Sequence, residues 1–333
     1  MSASGAKPSS GESSTATEQD HQNELAAMKR LLIDTKVDGN KNLWTMTLDT
    51  FGMADGKHEK DDILLDSLED GLVLLNEYVA EREKNMDRPV MEVVPLKTFD
   101  ATQDQFLTSF LKWAEKEDPK TKETKINVSK ASRRLDAYFG WMEDNRKDFE
   151  QPLTTESILE TAKIWDVQVS YDDNDQFLWW IDLAALDQDG IKKFSNSDHL
   201  RYIVWFSHLV MFDKKAQENG ALLFEDLGMI GFWKMFTLVP SDLAAKMDRL
   251  TIGILPVRMK KMYVFGAARW MTAFMAFLKP FLGKKMRERF VMLPRNTDMQ
   301  EFCENLVTRK NIPTNFSHII GEYPRDWFFE KFK

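Results

Sequence analysis

Basic residues are concentrated in one part of an otherwise acidic chain. Residues 246–295 contain 12 basic and 2 acidic residues, a local charge of +10, although the formal net charge of the whole sequence is −8. Lys and Arg side chains bind phosphates and carboxylates through charge-assisted hydrogen bonds. A solvated basic face is the ordinary interpretation of such a run. Because apolar segments alternate with the charges here, the pattern favours a site for an anionic partner.

Residue types that serve in catalysis are present, but without the spacing that catalysis or metal binding requires. The sequence lacks the P-loop, G-x-G-x-x-G, H-E-x-x-H and G-x-S-x-G motifs. His199 and His208 lie nine residues apart, which does not place them on one helix face as a metal pair at i, i+4 would be. The acidic turn YDDNDQ (171–176) lacks the positions of a calcium loop and is interpreted as a hairpin or loop tip. We therefore predict neither an enzyme nor a metal site.

The most apolar segment lies directly before the densest basic residues. Between Ala268 and Leu282 the polar residues Arg269, Thr272 and Lys279 fall on one thin edge of a helix. A helix that is apolar on nearly all other sides is buried or faces a non-aqueous phase. Its length of about 22 Å is less than the ~30 Å hydrocarbon core of a bilayer, which disfavours a membrane span. A buried core helix and a helix that covers a lipid-filled cavity remain as alternatives.

The order of the remaining elements predicts an α/β fold preceded by helices. Residues 1–22 are polar, are expected to form a disordered tail, and contain no secretory signal. Residues 23–96 and 97–151 show helical patterns. Residues 152–333 alternate strands with helices, which is typical of a mixed, largely parallel sheet. The strands are predicted at QFLWWIDLA (176–184), GALLFED (220–226), MKKMYVFG (259–266) and RERFVML (287–293).

Three helices in this scheme have identifiable features. The helix after the first strand is expected to have Ser197 or Asp198 as its N-cap, and the helix near residue 127 is expected to begin at Asn127. An earlier helix carries an apolar stripe that is interpreted as a core face, with a partner-binding face as the alternative. The stripe consists of Leu64, Leu68, Leu72, Leu75 and Val79.

The composition is that of a globular protein. Hydrophobic residues make up 43% of the sequence and charged residues 29%, and 333 residues suffice for one large domain or two smaller ones. Cys303 is the single cysteine. It excludes an intramolecular disulfide and fits a reducing compartment, so we expect a cytoplasmic protein.

Residues from about 104 to 317 resemble the CRAL-TRIO lipid-binding family, which includes phosphatidylinositol/phosphatidylcholine transfer proteins and tocopherol and retinaldehyde carriers. The resemblance is carried by the order and spacing of several stretches. These are FLTSFLKWA (106–114), NVSKASRRLDAYFGW (127–141), NGALLFEDLG (219–228), LPVRMKKMYVFG (255–266) and FLKPFLGKKMRERF (277–290).

The resemblance implies a helical N-terminal subdomain (97–151) after a helical extension (23–96), and then a lipid-binding domain (152–333). In this domain a sheet would floor an apolar cavity and a mobile helix at about 268–282 would close it. Strand alternation and one helix face then give the expected lining. It consists of Trp180, Leu223, Glu225, Met262, Val264, Met271, Phe274, Met275 and Leu278. Glu225 would be a buried polar group, with a solvent-facing or paired carboxylate as the alternative.

The tocopherol carriers of the family contact phosphoinositides through two basic pairs. On this chain they correspond to Arg258 and Lys260 and to Lys285 and Arg289. The resemblance therefore implies a protein that binds one hydrophobic lipid, transfers or presents it, and associates reversibly with anionic membranes. It implies no cofactor other than the bound lipid, and we expect no nucleic-acid partner. The alternative is a membrane-sensing signalling protein that recruits a protein partner through the helices of residues 23–96.

Overall fold

The structure is a computed structural model that describes residues 62–324, except 85, 87 and 118–120, together with parts of the segment 19–50. The tail predicted for residues 1–22 lies outside the described residues, apart from single positions. In the segment 19–50, strands β1 (Lys36–Asp38) and β2 (Lys41–Asn42) pair antiparallel.

Three long helices precede the main sheet. They are α1 (Leu68–Glu83), α2 (Gln103–Ala114) and α3 (Val128–Asp144). Each begins at a polar side chain that accepts a hydrogen bond from the first turn, namely Ser67, Thr102 and Asn127. The predicted cap at Asn127 is therefore confirmed.

The helix predicted to include Leu64 starts later than expected. Leu64–Leu65 is strand β3, which pairs antiparallel with β5 (Thr124–Asn127), and β5 pairs in turn with β4 (Glu115–Glu117). The Ser67 cap sets the start of α1 after this strand, so Leu64 is not part of the helical stripe. Leu75 and Val79 are buried in the core, which agrees with the interpretation of the stripe as a core face.

The main sheet has five strands in the order β10-β9-β8-β7-β6. Its strands are β6 (Gln168–Tyr171), β7 (Phe177–Asp182), β8 (Ala221–Asp226), β9 (Met259–Phe265) and β10 (Phe290–Met292). All neighbours are parallel except β6 and β7, which form an antiparallel hairpin. The mixed, largely parallel sheet is confirmed, and the acidic turn YDDNDQ lies at the tip of the β6–β7 hairpin, as predicted.

Further helices precede, connect and follow these strands. They are α4 (Thr155–Trp165), α5 (Gln188–Ile191), α6 (Asn196–Phe212), α7 (Lys214–Asn219), α8 (Phe232–Leu238), α9 (Ser241–Asp248), α10 (Arg269–Leu278), α11 (Lys284–Arg289) and α12 (Met299–Leu306). Short 3₁₀ turns cover Val90–Glu92, Lys97–Phe99, Arg146–Phe149, Lys279–Phe281 and Arg309–Asn311, and a π-helical turn covers Arg249–Ile254.

Three predicted boundaries are corrected. The cap of α6 is Ser195, whose hydroxyl accepts from the backbone of Asp198 in a capping box, rather than Ser197 or Asp198. The predicted last strand begins three residues late, because α11 continues to Arg289 and the strand that pairs with β9 covers Phe290–Met292. The predicted apolar helix ends as α-helix at Leu278 and continues as a 3₁₀ turn that contains Pro280.

The two faces of the sheet pack against different parts of the chain. One core includes α1 to α6 and one face of β6 to β9. The other face packs Trp180 and Phe224 against Cys303 and Phe316 from the C-terminal part, with the rings of Trp180 and Phe224 stacked 4.1 Å apart. Cys303 is fully buried, and burial raises the pKa of its thiol to about 12. It therefore serves as an apolar filler.

The two buried histidines have structural partners. Trp165 donates to Nδ1 of His199 at 3.0 Å. Nε2 of His208 lies 2.7 Å from the Tyr138 hydroxyl. Burial lowers the pKa of His208 to about 4, so its ring is neutral. Both are core residues.

Candidate functional site

An apolar cavity of about 380 Å³ lies between the sheet and helices α9 and α10. Side chains from the sheet form its floor, including Leu223 and Val264, and α10 covers it with Met271, Phe274 and Met275. This volume lies in the range of pockets that hold small ligands. Eight of the nine predicted lining residues lie on its wall, all except Trp180.

The placement of Trp180 in the cavity is wrong by one position. Trp179 pairs with Leu223 in the parallel register of β7 and β8, so Trp179 lines the cavity. Trp180 pairs with Phe224 on the opposite face, where its Nε1 donates to the Ser170 hydroxyl at 3.0 Å. Strand β7 is apolar on both faces and therefore carries no alternation from which its phase could be read.

Helix α10 separates the cavity from the surface. Only Trp270 and Leu278 are buried in it, and Trp270 is held by a 2.9 Å hydrogen bond from Nε1 to the Ile230 carbonyl. Phe277 on the outer side is 41% exposed, and Phe281 in the following turn is 54% exposed. The helix is therefore neither a core helix nor a membrane span; it covers the cavity with one face and presents aromatic rings outward with another.

The N-terminal segment completes the cavity wall. Met28 and Met46 line the cavity and are each 3% exposed. Both belong to a small core with Phe232 and Trp270, against which Phe274 packs. Residues far upstream of the sheet therefore lie against the covering helix. The sequence pattern did not indicate this contact.

Two carboxyl groups face the cavity interior. Glu225 comes from β8 and Asp248 from the end of α9. Burial, followed by the charges of Asp248 and Asp226, raises the pKa of Glu225 to about 7. Desolvation at the cavity wall raises the pKa of Asp248 to about 7 as well, although the residue as a whole is exposed. Within the described part of the chain, neither carboxyl has a hydrogen-bond or ion-pair partner.

The four predicted basic residues lie together in a second concavity of about 330 Å³, called here the basic cleft. Its wall consists of Arg258, Lys260, Lys285 and Arg289 with Trp113, Glu115, Lys130 and Met259. Gly220, at a positive φ of 78°, lets β8 begin close to the Arg258 backbone, because a Cβ there would lie 2.6 Å from the Arg258 carbonyl oxygen. Sequence reasoning brought the four cations together correctly.

The cations of the basic cleft differ in how they are held. Arg258 forms an ion pair with Glu115 at 2.8 Å and donates to the Lys112 carbonyl. Lys260 and Lys285 have exposed side chains. Arg258 is therefore anchored, whereas the two lysines are accessible from solvent.

Lys130 is a cleft residue that sequence reasoning missed. Its Nζ lies 4.0 Å from the centre of the Trp113 ring. Burial, then the charges of Lys285 and Arg134, lower the pKa of Lys130 to about 7. An anion in the cleft would reverse this effect by favouring the charged amine. Lys130 lies in the first turn of α3, and only the docking of α3 on the sheet reveals its position.

The cavity and the basic cleft adjoin. Trp113, Met259 and Arg289 line both. At this junction Arg134 donates to the carbonyls of Ile254 at 2.8 Å and Leu255 at 2.6 Å, which fixes the π-helical turn to α3. An apolar compartment thus borders a cationic one across a shared wall.

No helix among the described residues combines the length and apolar character needed to cross a bilayer. No three or more His, Cys, Asp or Glu side chains in the described ranges are grouped so that they could hold a metal ion.

The chain was compared with known proteins. No curated protein matches the sequence. Among solved structures it is similar to Sfh5, known from a crystal structure, with 13% identity, a TM-score of 0.46, and coverage of 80% of this chain and 91% of that chain. Residues 166–316 match the family model of the CRAL/TRIO domain. Across these residues the chain is therefore similar to the CRAL/TRIO domain, a family of lipid-binding and lipid-transfer proteins.

Proposed function

We propose that this protein binds one hydrophobic lipid in the apolar cavity and delivers or presents it at anionic membranes, which it recognises through the basic cleft. The observation that carries the proposal is the shared wall of Trp113, Met259 and Arg289. A lipid has the same division, since its apolar body suits the cavity and an anionic headgroup suits the cleft. No bond is made or broken, so the proposed cycle needs no catalytic residue and no cofactor besides the lipid.

The apolar part of the ligand supplies most of the binding free energy. Transfer of a methylene from water into an apolar site contributes about 0.8 kcal/mol. Helix α10 would act as the movable cover, because it buries only Trp270 and Leu278 and so has few contacts to break on opening. Its exposed Phe277 and Phe281 suit insertion at a bilayer interface.

The basic cleft would determine which membranes the protein binds. Each Lys or Arg near an anionic membrane surface contributes about 1 kcal/mol, and a phosphate held by two cations gains charge-assisted hydrogen bonds. The protein would then be a peripheral membrane protein of the cytoplasm whose attachment weakens with salt. Phosphoinositides are the proposed anionic lipids, because their headgroups carry several phosphates.

The direct test is vesicle co-sedimentation of Lys285→Ala/Arg289→Ala beside a matched control, Lys284→Ala/Arg287→Ala. Both pairs lie on α11 and remove the same charge, but only the first lines the cleft. On phosphoinositide-containing phosphatidylcholine vesicles, we expect the first pair to lose about thirtyfold in affinity and the control pair much less. Lipid already in the cavity should stay bound in both. Equal losses would show that overall charge, rather than the cleft, governs binding.

The second candidate is a signalling protein that recruits a partner through its N-terminal helices. Its support is limited to the exposed apolar side chains of Ile63, Leu64 and Val73, at 51%, 54% and 57%. Val73→Lys should leave lipid uptake unchanged and abolish partner capture if this candidate is right. An unchanged set of captured proteins would remove it.

A further inference from the structure

The wall of the cavity carries charge of both signs in separate places. Among the described residues, its charged members are Arg134, Glu225, Asp248 and Arg289. Arg289 also lines the basic cleft, and Arg134 is bound to backbone carbonyls at the junction. The two carboxyls come instead from the sheet and from the end of α9. The cavity therefore has a cationic border at the cleft and an acidic group in its interior.

The carboxyls are placed to receive a ligand rather than to stabilise the fold. Both line the cavity, and neither has a hydrogen-bond or ion-pair partner in the described part of the chain. Glu225 is half-buried and Asp248 is exposed, so solvent reaches the pair through the cavity. A ligand that fills the cavity displaces this water, and because the surrounding wall is apolar, the ligand itself has to supply the hydrogen bonds that the carboxyls lose.

The chemistry of the pair defines that partner. A carboxylate accepts hydrogen bonds and attracts a cation, and a neutral carboxyl beside it can share a proton with it. Hydroxyl and amine groups satisfy the pair in either state. A carboxylate or phosphate at the same point would place like charges together in an apolar surrounding, which is strongly unfavourable.

We propose that Glu225 and Asp248 together bind a hydrogen-bond-donating end group, a hydroxyl or an amine, of the ligand that fills the cavity. The inference rests on the proposed lipid-binding function and adds the chemical class of the ligand and its orientation. The donor group lies at the carboxyl pair, and any anionic group of the ligand lies towards Arg289. Ligands that would direct a carboxylate to the interior are selected against.

The test uses four sixteen-carbon probes that differ only at one end: hexadecanol, hexadecylamine, hexadecanoic acid and hexadecane. Each is offered to the full-length protein from neutral phosphatidylcholine vesicles, and uptake is measured by mass spectrometry of the re-isolated protein. For the wild type we expect uptake of the alcohol and the amine to exceed that of the acid by about tenfold or more. Hexadecane has no polar end group, so its uptake measures binding by the apolar cavity wall alone.

Two double variants and one control separate the possibilities. Glu225→Met/Asp248→Leu should reduce the preference over the acid to within about threefold and leave hexadecane uptake unchanged. Glu225→Gln/Asp248→Asn keeps the hydrogen-bonding groups without their charge. Its uptake of the alcohol should equal that of the wild type, and its uptake of the amine should fall. Asp242→Leu lies on the same helix with an exposed side chain and outside the cavity, and should behave as the wild type.

The outcomes are distinguishable. Wild-type uptake without preference, or a preference unchanged in Glu225→Met/Asp248→Leu, would overturn the inference and leave lipid binding intact. Failure of the wild type to take up any probe, including hexadecane, would overturn the proposed function and this inference with it.

Discussion

The two faces of the sheet are formed by the same strands, but one face is closely packed and the other borders a cavity. On one face Trp180 stacks on Phe224 and packs against Phe316 with ring centres 5.0 Å apart. On the other face Trp179 and Leu223, one residue away in each strand, border a cavity of about 380 Å³. The first face is closed by the C-terminal part of the chain, and the second is left hollow beneath α10.

Because of this difference, we expect the closed face to contribute mainly to stability and the hollow face mainly to the proposed ligand binding. Close packing supplies dispersion contacts on the closed face, whereas residues beside a void lack those contacts on one side. Truncating a closed-face residue removes contacts and creates a new cavity; truncating a hollow-face residue enlarges one that exists. We therefore expect large changes in unfolding free energy on one face and changes in ligand uptake on the other.

The largest expected effect comes from Trp180→Ala. It removes the stack on Phe224 and the hydrogen bond to Ser170, and should lower the free energy of unfolding by about 3–5 kcal/mol. Trp179→Ala is the matched change on the hollow face. It should cost at most about half as much, since the side chain already borders the void, although it also packs on Phe206. Urea denaturation measures both, and equal losses would contradict the distinction between the faces.

The second effect concerns the cover of the hollow face. Phe274→Asp places a carboxylate on the cavity wall and should lower uptake of a short-chain fluorescent lipid, offered as a monomer, by about a hundredfold. Phe277→Asp, three residues along α10, lies outside the cavity and is 41% exposed. It should take up the same monomer normally. If lipid loading of Phe274→Asp equals that of the wild type, α10 does not cover the binding site.

The third effect is smaller and depends on pH. Since the folded protein raises the pKa of Glu225 from its usual 4.5 to about 7, its contribution to stability is fully present below pH 4.5 and is lost as the pH rises through 7. Glu225→Gln should therefore unfold like the wild type at pH 4 and be more stable by about 2 kcal/mol at pH 8. Asp248 and Asp226 add to this repulsion, and Arg134 and Arg289 are the opposing charges on the cavity wall.

Thermal or urea unfolding at both pH values would check this prediction. Asp242→Asn, with its exposed carboxyl on α9, is the control and should show no pH-dependent difference. A Glu225→Gln variant that is less stable than the wild type at pH 8 would mean that the carboxylate has a stabilising partner.

The sequence predicted the hollow face of β8 and β9 and failed on β7. In β8 the polar Glu225 interrupts the apolar residues, and in β9 the two-residue alternation places Met262 and Val264 on one face, as the cavity lining shows. The run from Phe177 to Trp180 is apolar throughout, because β7 is buried on both faces. Its phase follows from pairing with β8, which no local pattern contains.

Contacts between segments that are far apart in the chain could likewise not be predicted from the sequence. Lys130 reaches the basic cleft because α3 packs beside the π-helical turn, where Arg134 binds carbonyls more than a hundred residues away in the chain. Asp248 acts on Glu225 because the end of α9 and strand β8 line the same cavity. The motifs located the cations of the cleft, while the partners that adjust the pKa values of these groups depended on how the helices dock.

Met28 and Met46 show that the cavity wall is formed by residues both inside and outside the matched domain. They lie well before residues 166–316, which match the CRAL/TRIO domain, and yet they form part of the cavity wall. Trp113 and Arg134, from the preceding helices, do the same. A fragment limited to the matched residues would thus lack one side of the cavity wall. If the cavity holds the proposed lipid, substitutions in the N-terminal segment would alter which ligands fit without changing any residue of the domain itself, so ligand choice and domain architecture could diverge independently.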